Sequence, residues 1–316
     1  MREPSGDLLT SGVTQAMIRE LSILIPTRND VCLQQVETLQ RLASNVEGLR
    51  YEILVSDDAS DNQEVMQQNA LINNLENCRL LLQPENSGRA ANRNRLAKQA
   101  QYDWAIFIDC NVKIPREDFL TRYLEADQAD VVNGGIFAET DKTLARTNLR
   151  YQYEKKIEPE HIAQQRQKKP YQSFRTSNFM VRRDVILRHP LDESVPGYGY
   201  EDVLFGKTLS ENGYSIEHID NPVVITHFES NEQYVAKIEE AMRTLYALRH
   251  ELVGYSPLLD AVEALKKRHM IPLYQQFFRA NAQRIRNNLV GETPSIRWLN
   301  LYKLGYYLSL GESVQD

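Results

Sequence analysis

Four short, unbroken apolar runs constrain this chain more than any other feature: LSILIP at 21–26, the apolar part of YEILVSDD at 51–58, RLLLQ at 79–83 and WAIFI at 104–108. Each is too short for a buried helix, and none alternates apolar with polar residues, so each reads as a strand buried on both faces. The segments between them carry helical spacing. Val36, Leu39, Leu42, Val46 and Leu49 recur on one helical face. Ser60 and Gln63 read as a capping box for a second helix running to about Leu75, and GRAANRNRLAKQA at 88–100 reads as a third. Strand–helix alternation of this kind predicts an α/β fold: a mostly parallel, Rossmann-like sheet flanked by helices.

With 316 residues, 42% hydrophobic and 25% charged, the chain can bury a sizeable core of ordinary globular composition. A net charge of −6 argues against a general nucleic-acid binder. Cys32, Cys78 and Cys110 have no metal-type spacing, and an odd number of cysteines suits reduced thiols in a cytoplasmic protein. The N-terminus carries no apolar signal core, and no apolar run approaches 18 residues, which predicts neither export nor a membrane span. Residues 1–19 read as a polar lead-in, 20–230 as the catalytic unit, and 231–316 as a helical extension in which Val235, Ile238, Ala241, Met242 and Leu245 share a face.

In open parallel sheets, ligands bind beyond the carboxyl ends of the strands. Three strands here end in polar clusters, PTRND, SDDASD and DCN. Asp57 and Asp58 can accept hydrogen bonds from a base or ribose, although the same residues suit a turn. Gly88 permits close backbone approach, and Arg89 and Arg93 stand at i and i+4 near a helix start, a placement that suits phosphate or simply a solvated basic face. Asp109 and Asn111, one residue apart at a strand end, both offer hard oxygens of the type Mg²⁺ or Mn²⁺ accepts while keeping waters and substrate phosphates. His227, after VVIT, adds a third ligand or is structural. Glu201 and Asp202 open a helix after GYGY, as acids that complement a helix dipole or as a general base aimed at a hydroxyl.

Taken in order, SILIPTRND, EILVSDDASDN, NSGRAANRN, FIDCN, TSNFMVRR, GYGYEDVLFGKTLSENGY and ITH resemble the inverting family 2 glycosyltransferases of GT-A fold, over roughly residues 21–228. The resemblance implies a nucleotide-diphospho-sugar donor at the sheet edge, bound by Pro26, Thr27, Arg28, Asp57 or Asp58, Gly88, Arg89, Arg93 and Asp109. It implies a divalent cation, Mn²⁺ or Mg²⁺, on Asp109, Asn111 and His227, with Asp202 as catalytic base and Glu201 near the acceptor. Two departures stand out. Asn92 replaces the alanine of the family's A-R-N, and Asn111 offers a neutral oxygen where an aspartate would be charged, which weakens the case for strict metal dependence.

The implied reaction is a single displacement with inversion, onto a hydroxyl of a glycan or lipid-linked acceptor in bacterial polysaccharide or surface glycan synthesis. Between Ala264 and Leu310, eight basic residues (Lys266, Lys267, Arg268, Arg279, Arg284, Arg286, Arg297 and Lys303) face one acid, Glu292, among Tyr274, Phe277, Phe278, Trp298, Tyr302, Tyr306 and Tyr307. That composition suits peripheral contact at the inner face of a membrane, or a helical subdomain with a solvated basic face. Two rival functions are a nucleotidyltransferase, whose Gly-rich phosphate loop is missing from IPTRNDVCLQQ, and a non-catalytic nucleotide-sugar-binding protein, against which the Glu201–Asp202 pair argues.

Overall fold

The structure is a computed structural model and describes residues 18–126, 128–195 and 197–311; of the lead-in expected over 1–19, all but Ile18 and Arg19 lies outside the described residues. The first half alternates as its apolar pattern requires: β1 (Glu20–Thr27), α1 (Leu33–Ser44), β2 (Arg50–Asp57), α2 (Gln63–Ala70), β3 (Cys78–Leu82), α3 (Arg89–Gln99) and β4 (Trp104–Ile108). The chain continues through β5 (Val112–Lys113), α4 (Phe119–Leu124), β6 (Val131–Asn133), β7 (Ile136–Ala138), α5 (Leu144–Thr147), α6 (Leu149–Ile157) and α7 (Ala163–Arg166). After these come β8 (Asn178–Arg182), α8 (Arg183–Arg188), α9 (Glu201–Glu211), β9 (Ile216–His218) and β10 (Val223–Ile225). Four helices follow: α10 (Asn231–Ala247), α11 (Pro257–Lys267), α12 (Ile271–Val290) and α13 (Ile296–Leu310).

Seven strands form one sheet in the order β3-β2-β1-β4-β8-β6-β9. β1 pairs in parallel with β2 and β4, and β8 runs antiparallel to β4 and β6. A small second sheet, β5-β10-β7, lies apart from it. Burial on both faces explains the apolar runs of β1, β2 and β4; β3, expected to be buried on both faces too, lies at the border of the sheet with a single strand neighbour, and Leu82 there is 61% exposed. Leu21, Ile23 and Ile25 join a core with Val36, Leu39 and Leu42 of α1 and Phe119 of α4. Leu24, on the other face, packs with Leu96 of α3, Val185 of α8 and Phe205 of α9. Across this second core Phe107 and Phe179 stack with ring centroids 4.9 Å apart.

The second helix starts differently from the capping-box expectation. Asn62 is the cap, accepting from the backbone N–H of Glu64 and Val65, because the Ser60 hydroxyl is already committed to Asp57. The α-helix stops at Ala70 and continues only as a 3₁₀ turn over Leu71–Asn74, short of Leu75.

A third core joins α6 to α10, α11, α12 and α13 and is edged by Tyr153, Tyr198, Tyr200, Val203 and Leu204. The C-terminal helices therefore buttress the loop that leads into α9. Of the two readings of the aromatic-rich extension, these side chains follow the helical subdomain: Phe278, Tyr302 and Tyr307 are buried, and the Tyr274 hydroxyl donates to Leu301 O at 3.0 Å. No helix among the described residues is long and apolar enough to cross a membrane.

α12 and α13 approach closely because Gly305 has no side chain. A Cβ there would sit 2.0 Å from the Phe278 ring, which is buried and has nowhere to move. Gly305→Ala should therefore lower stability by about 1–3 kcal/mol, as overpacking does, read from the denaturant midpoint with an unchanged m-value.

Candidate active site

The parallel register sets Thr27, at the end of β1, beside Asp57, at the end of β2. The chain turns away at Asn29, which adopts φ 57° and knits the two strand ends together. Its N–H donates to the Ser60 hydroxyl at 2.7 Å, and its side-chain oxygen accepts from Asp61 N at 3.0 Å and Asn62 N at 3.2 Å. The Thr27 hydroxyl closes the same turn on Asp30 O at 3.0 Å; Pro26 lies half-buried before it, and Arg28 is exposed at its tip.

The two adjacent aspartates have different environments. Asp58 is consumed by the fold: Oδ1 accepts from the Ser87 N–H (3.0 Å) and hydroxyl (2.7 Å), and Oδ2 accepts from Gly88 N at 2.9 Å. It clamps the loop before α3, where Gly88 takes φ 87°. Asp57 spends Oδ1 on the Ser60 N–H and hydroxyl, whereas its Oδ2 is buried without a hydrogen-bond partner.

α3 brings its arginines to separate places. Arg93 is 4% exposed and donates to Asp109 Oδ1 at 2.6 Å, while Arg89 lies over the Tyr198 ring, 4.7 Å from its centroid. The solvated basic face considered from sequence is thus absent at Arg93. Asn92, beside it, donates to Ser56 O at 3.0 Å and leaves Oδ1 unpaired. Gln35 donates to Asp109 O at 2.8 Å and leaves its own Oε1 unpaired. Arg93 Nε is unpaired as well. More than nine-tenths of buried polar groups in folded proteins find partners, and four of the seven unpartnered ones among the described residues belong to side chains on or bonded to the ends of β2 and β4.

Asp109 is anchored through its backbone N–H to Ser177 O at 3.0 Å. Three residues on, β5 begins and pairs with β10 so that Val112 faces Ile225, and Thr226 donates to Asn111 O at 3.1 Å. Asn111 and His227 therefore leave the small sheet at the same end, both exposed. Among the described residues no three His, Cys, Asp or Glu side chains cluster as a metal site. One carboxylate, one amide and one imidazole are too few donors to hold a hard cation alone, but they fit a cation shared with diphosphate oxygens.

α9 begins after a loop in which Gly197, Gly199 and Tyr200 all take positive φ, 85°, 90° and 68°. Tyr198 N and the close backbone approach at Gly197 both meet Glu240 Oε1 of α10, fixing the loop. Asp202 then stands in the first turn beside Glu201, accepting from Val203 N at 2.8 Å. Burial, and then the Glu201 charge, push its pKa up to about 6, against the pull of Arg175 and backbone donors. Arg175, paired with Glu154 at 3.6 Å, acts electrostatically on Asp202 and lies two residues before Ser177, whose carbonyl accepts from Asp109 N.

The profile of glycosyl transferase family 2 matches residues 22–189, just over half the chain. The chain belongs to that family. Among curated protein sequences none matches it. Its fold is GT-A, shared with the mannosyltransferase PcManGT from Pyrobaculum calidifontis in complex with GDP-Man and Mn²⁺ (TM-score 0.56, 15% identity, covering 95% of this chain and 87% of that one). S. aureus TarS 1–349 is more distant (TM-score 0.49, 15% identity, covering 94% and 91%).

In this family 2 glycosyltransferase, Gln35 and Arg175 are site neighbours that sequence reasoning passed over, and Asn92 was read only as a departure from the family's alanine. Gln35 and Asn92 sit on helices with no local signal for their direction. Arg175 directly precedes the matched TSNFMVRR and could have been read with it. Asp58→Asn removes acceptor capacity and charge from the Ser87–Gly88 clamp and should lower stability by roughly 1–3 kcal/mol, measured by chemical denaturation.

Proposed function

We propose that this protein is an inverting glycosyltransferase that moves a sugar from a nucleotide-diphospho-sugar to a hydroxyl of a glycan or lipid-linked acceptor. The observation that carries this reading is the set of orphaned buried atoms at the sheet edge: Asp57 Oδ2, Asn92 Oδ1, Gln35 Oε1 and Arg93 Nε. Asp57, rather than the already saturated Asp58, accepts from the base or ribose, with Pro26, Thr27 and Arg28 beside it. Arg93 and Asp109 hold the diphosphate end, with Gly88 and Arg89 at the start of α3. Donor use by the structural relative PcManGT, solved with GDP-Man and Mn²⁺, is consistent with this arrangement.

Asp202 removes the acceptor proton as the acceptor oxygen bonds to the anomeric carbon. The bond from that carbon to the diphosphate oxygen breaks, and its electron pair leaves with the diphosphate. Attack from the opposite face inverts the anomeric configuration. A pKa near 6 leaves Asp202 ionised at neutral pH yet basic enough to share the proton in the transition state. Arg175 pulls the Asp202 pKa down against the larger effects of burial and Glu201, and Glu201 lies on the acceptor side. Asp109, Asn111 and His227 would hold a divalent cation, Mn²⁺ or Mg²⁺. That cation would neutralise charge on the departing diphosphate.

Asp202→Asn should cost about 10²–10⁴-fold in transfer rate while donor binding persists, the latter read as thermal stabilisation by nucleotide sugars with Mn²⁺. Unchanged turnover would remove Asp202 from the role. In the wild type, log kcat should fall with unit slope below about pH 6. The stability sign is opposite to that of a salt-bridged acid. The fold binds this proton more tightly than the unfolded chain does, so stability declines as pH rises from 3.8 to about 6. Asp202→Asn should therefore raise the melting temperature at pH 7 while slowing transfer.

The extension supports a site at the inner face of an anionic membrane, where lipid-linked acceptors and enzymes of bacterial surface-glycan synthesis meet. Met270, Leu273 and Phe277 of the α12 region are exposed apolar side chains close in sequence to Lys266, Lys267 and Arg268, and Trp298 of α13 is exposed as well. Sedimentation with phosphatidylglycerol vesicles, but not with phosphatidylcholine alone, is the expected result, and Leu273→Glu with Phe277→Glu should reduce it.

A further inference from the structure

A concavity of about 630 Å³ opens where α5 and α6 meet the turn into α13. Lys142, Lys155, Lys156 and Arg297 line it, against one acid, Asp141. The acid is already engaged: Asp141 Oδ1 accepts from Thr143 N at 2.7 Å and Leu144 N at 2.9 Å, capping α5. Lys155 is engaged as well, with Glu158 and, at 3.3 Å, Ala138 O. Lys142, Lys156 and Arg297 make no side-chain ion pair or hydrogen bond among the described residues. Three unpaired cations around one hollow repel each other, and an anion seated between them relieves that repulsion.

The walls of this hollow are built before any ligand arrives. The Tyr151 hydroxyl donates to Glu139 O at 2.9 Å and accepts from Asp141 N at 2.7 Å, holding the Asp141 turn on α6. Gln152 donates to Pro294 O at 3.1 Å, and Asn231 bridges Thr147 O and Gly291 O at 2.8 Å each, tying the α12–α13 turn to α5 and α6. The fifteen-residue α13 starts here with no side-chain cap, so its positive end adds to the same field.

The hollow also adjoins the transfer edge. β7 and β10 run in parallel with Ala138 beside Ile225, so Thr140 and His227 leave the small sheet together. Tyr151 packs edge-on against Phe228, the residue after His227, with ring centroids 5.3 Å apart.

We infer that this concavity is an anion subsite that holds a phosphate group of the acceptor while the acceptor's hydroxyl reaches the edge of the sheet. Only the word acceptor rests on the glycosyltransferase reading; the anion site itself does not. Phosphate suits it better than a carboxylate because several oxygens can meet Lys142, Lys156 and Arg297 at once.

The test is calorimetric titration of the full chain with inorganic tripolyphosphate at low ionic strength, without metal. Lys142→Gln with Lys156→Gln and Arg297→Gln should weaken binding by at least roughly tenfold, and added salt should weaken the wild-type binding. Lys266→Gln with Lys267→Gln and Arg268→Gln removes the same charge from an exposed stretch elsewhere and should leave binding intact. Wild-type affinity in the first variant, or equal loss in both, would overturn the site. Binding of both variants to phosphatidylglycerol vesicles separates the two sources of phosphate. Vesicle binding unaffected by the first variant is expected for an acceptor phosphate; its loss there alone overturns the acceptor assignment in favour of a lipid headgroup. None of these readouts needs turnover, so failure of the Asp202→Asn prediction leaves the anion site standing, and failure of the anion site leaves donor binding standing.

Discussion

The parallel pairing of β1 with β2 and β4 is the constraint on which the chemistry depends. It sends the ends of the three strands to one side, so that Thr27, Asp57 and Asp109 emerge along a single edge. Parallel strands need crossover helices, and the helices cover both faces. Leu24 and Ile25, neighbours in sequence, consequently end in different cores. The edge is the one border of the sheet where polar side chains meet a ligand without breaking either core.

That edge is held under electrostatic tension. Arg93 is buried with Asp109 as its ionic partner, and Asp57, Asn92 and Gln35 each carry a buried acceptor with no hydrogen-bond partner. Asp202 is kept close to neutral pH by burial and by Glu201. Unpaired buried polar groups cost stability in the free protein, and the nucleotide-sugar donor proposed above would offset that cost by supplying donors, acceptors and charge. The C-terminal helices contribute at a distance. α10 fixes the strained Gly197–Tyr200 loop through Glu240, and α13 carries Arg297 to the neighbouring hollow.

How much was legible in the sequence follows the range of each interaction. The strands β1, β2 and β4 could be read because an unbroken apolar run records two-sided burial; the same pattern overstated the burial of β3, which has only one strand neighbour. The polar strand ends could be read because chemistry and strand terminus coincide in WAIFIDCN and EILVSDD. The start of α2 was misplaced, because Ser60 is a good cap in isolation but is drawn away by Asp57, and Asn62 takes over. Asp57 and Asp58 looked interchangeable until Ser87 and Gly88, some thirty residues away, were seen to saturate only one of them. The aromatic richness of 264–310 suggested a surface, yet much of it is a helical core whose partners lie on α10 and α6.

Sequence alone determined the strand–helix alternation, the polar edge and the family resemblance, since each is written within a run of some ten residues. Tertiary structure decided which acid stays unpaired, which arginine meets Asp109, and that Lys142, Lys156 and Arg297 surround one hollow. Those outcomes depend on side chains that meet only after crossovers and helix packing bring distant segments within hydrogen-bonding or Coulombic range, and no local pattern encodes that distance.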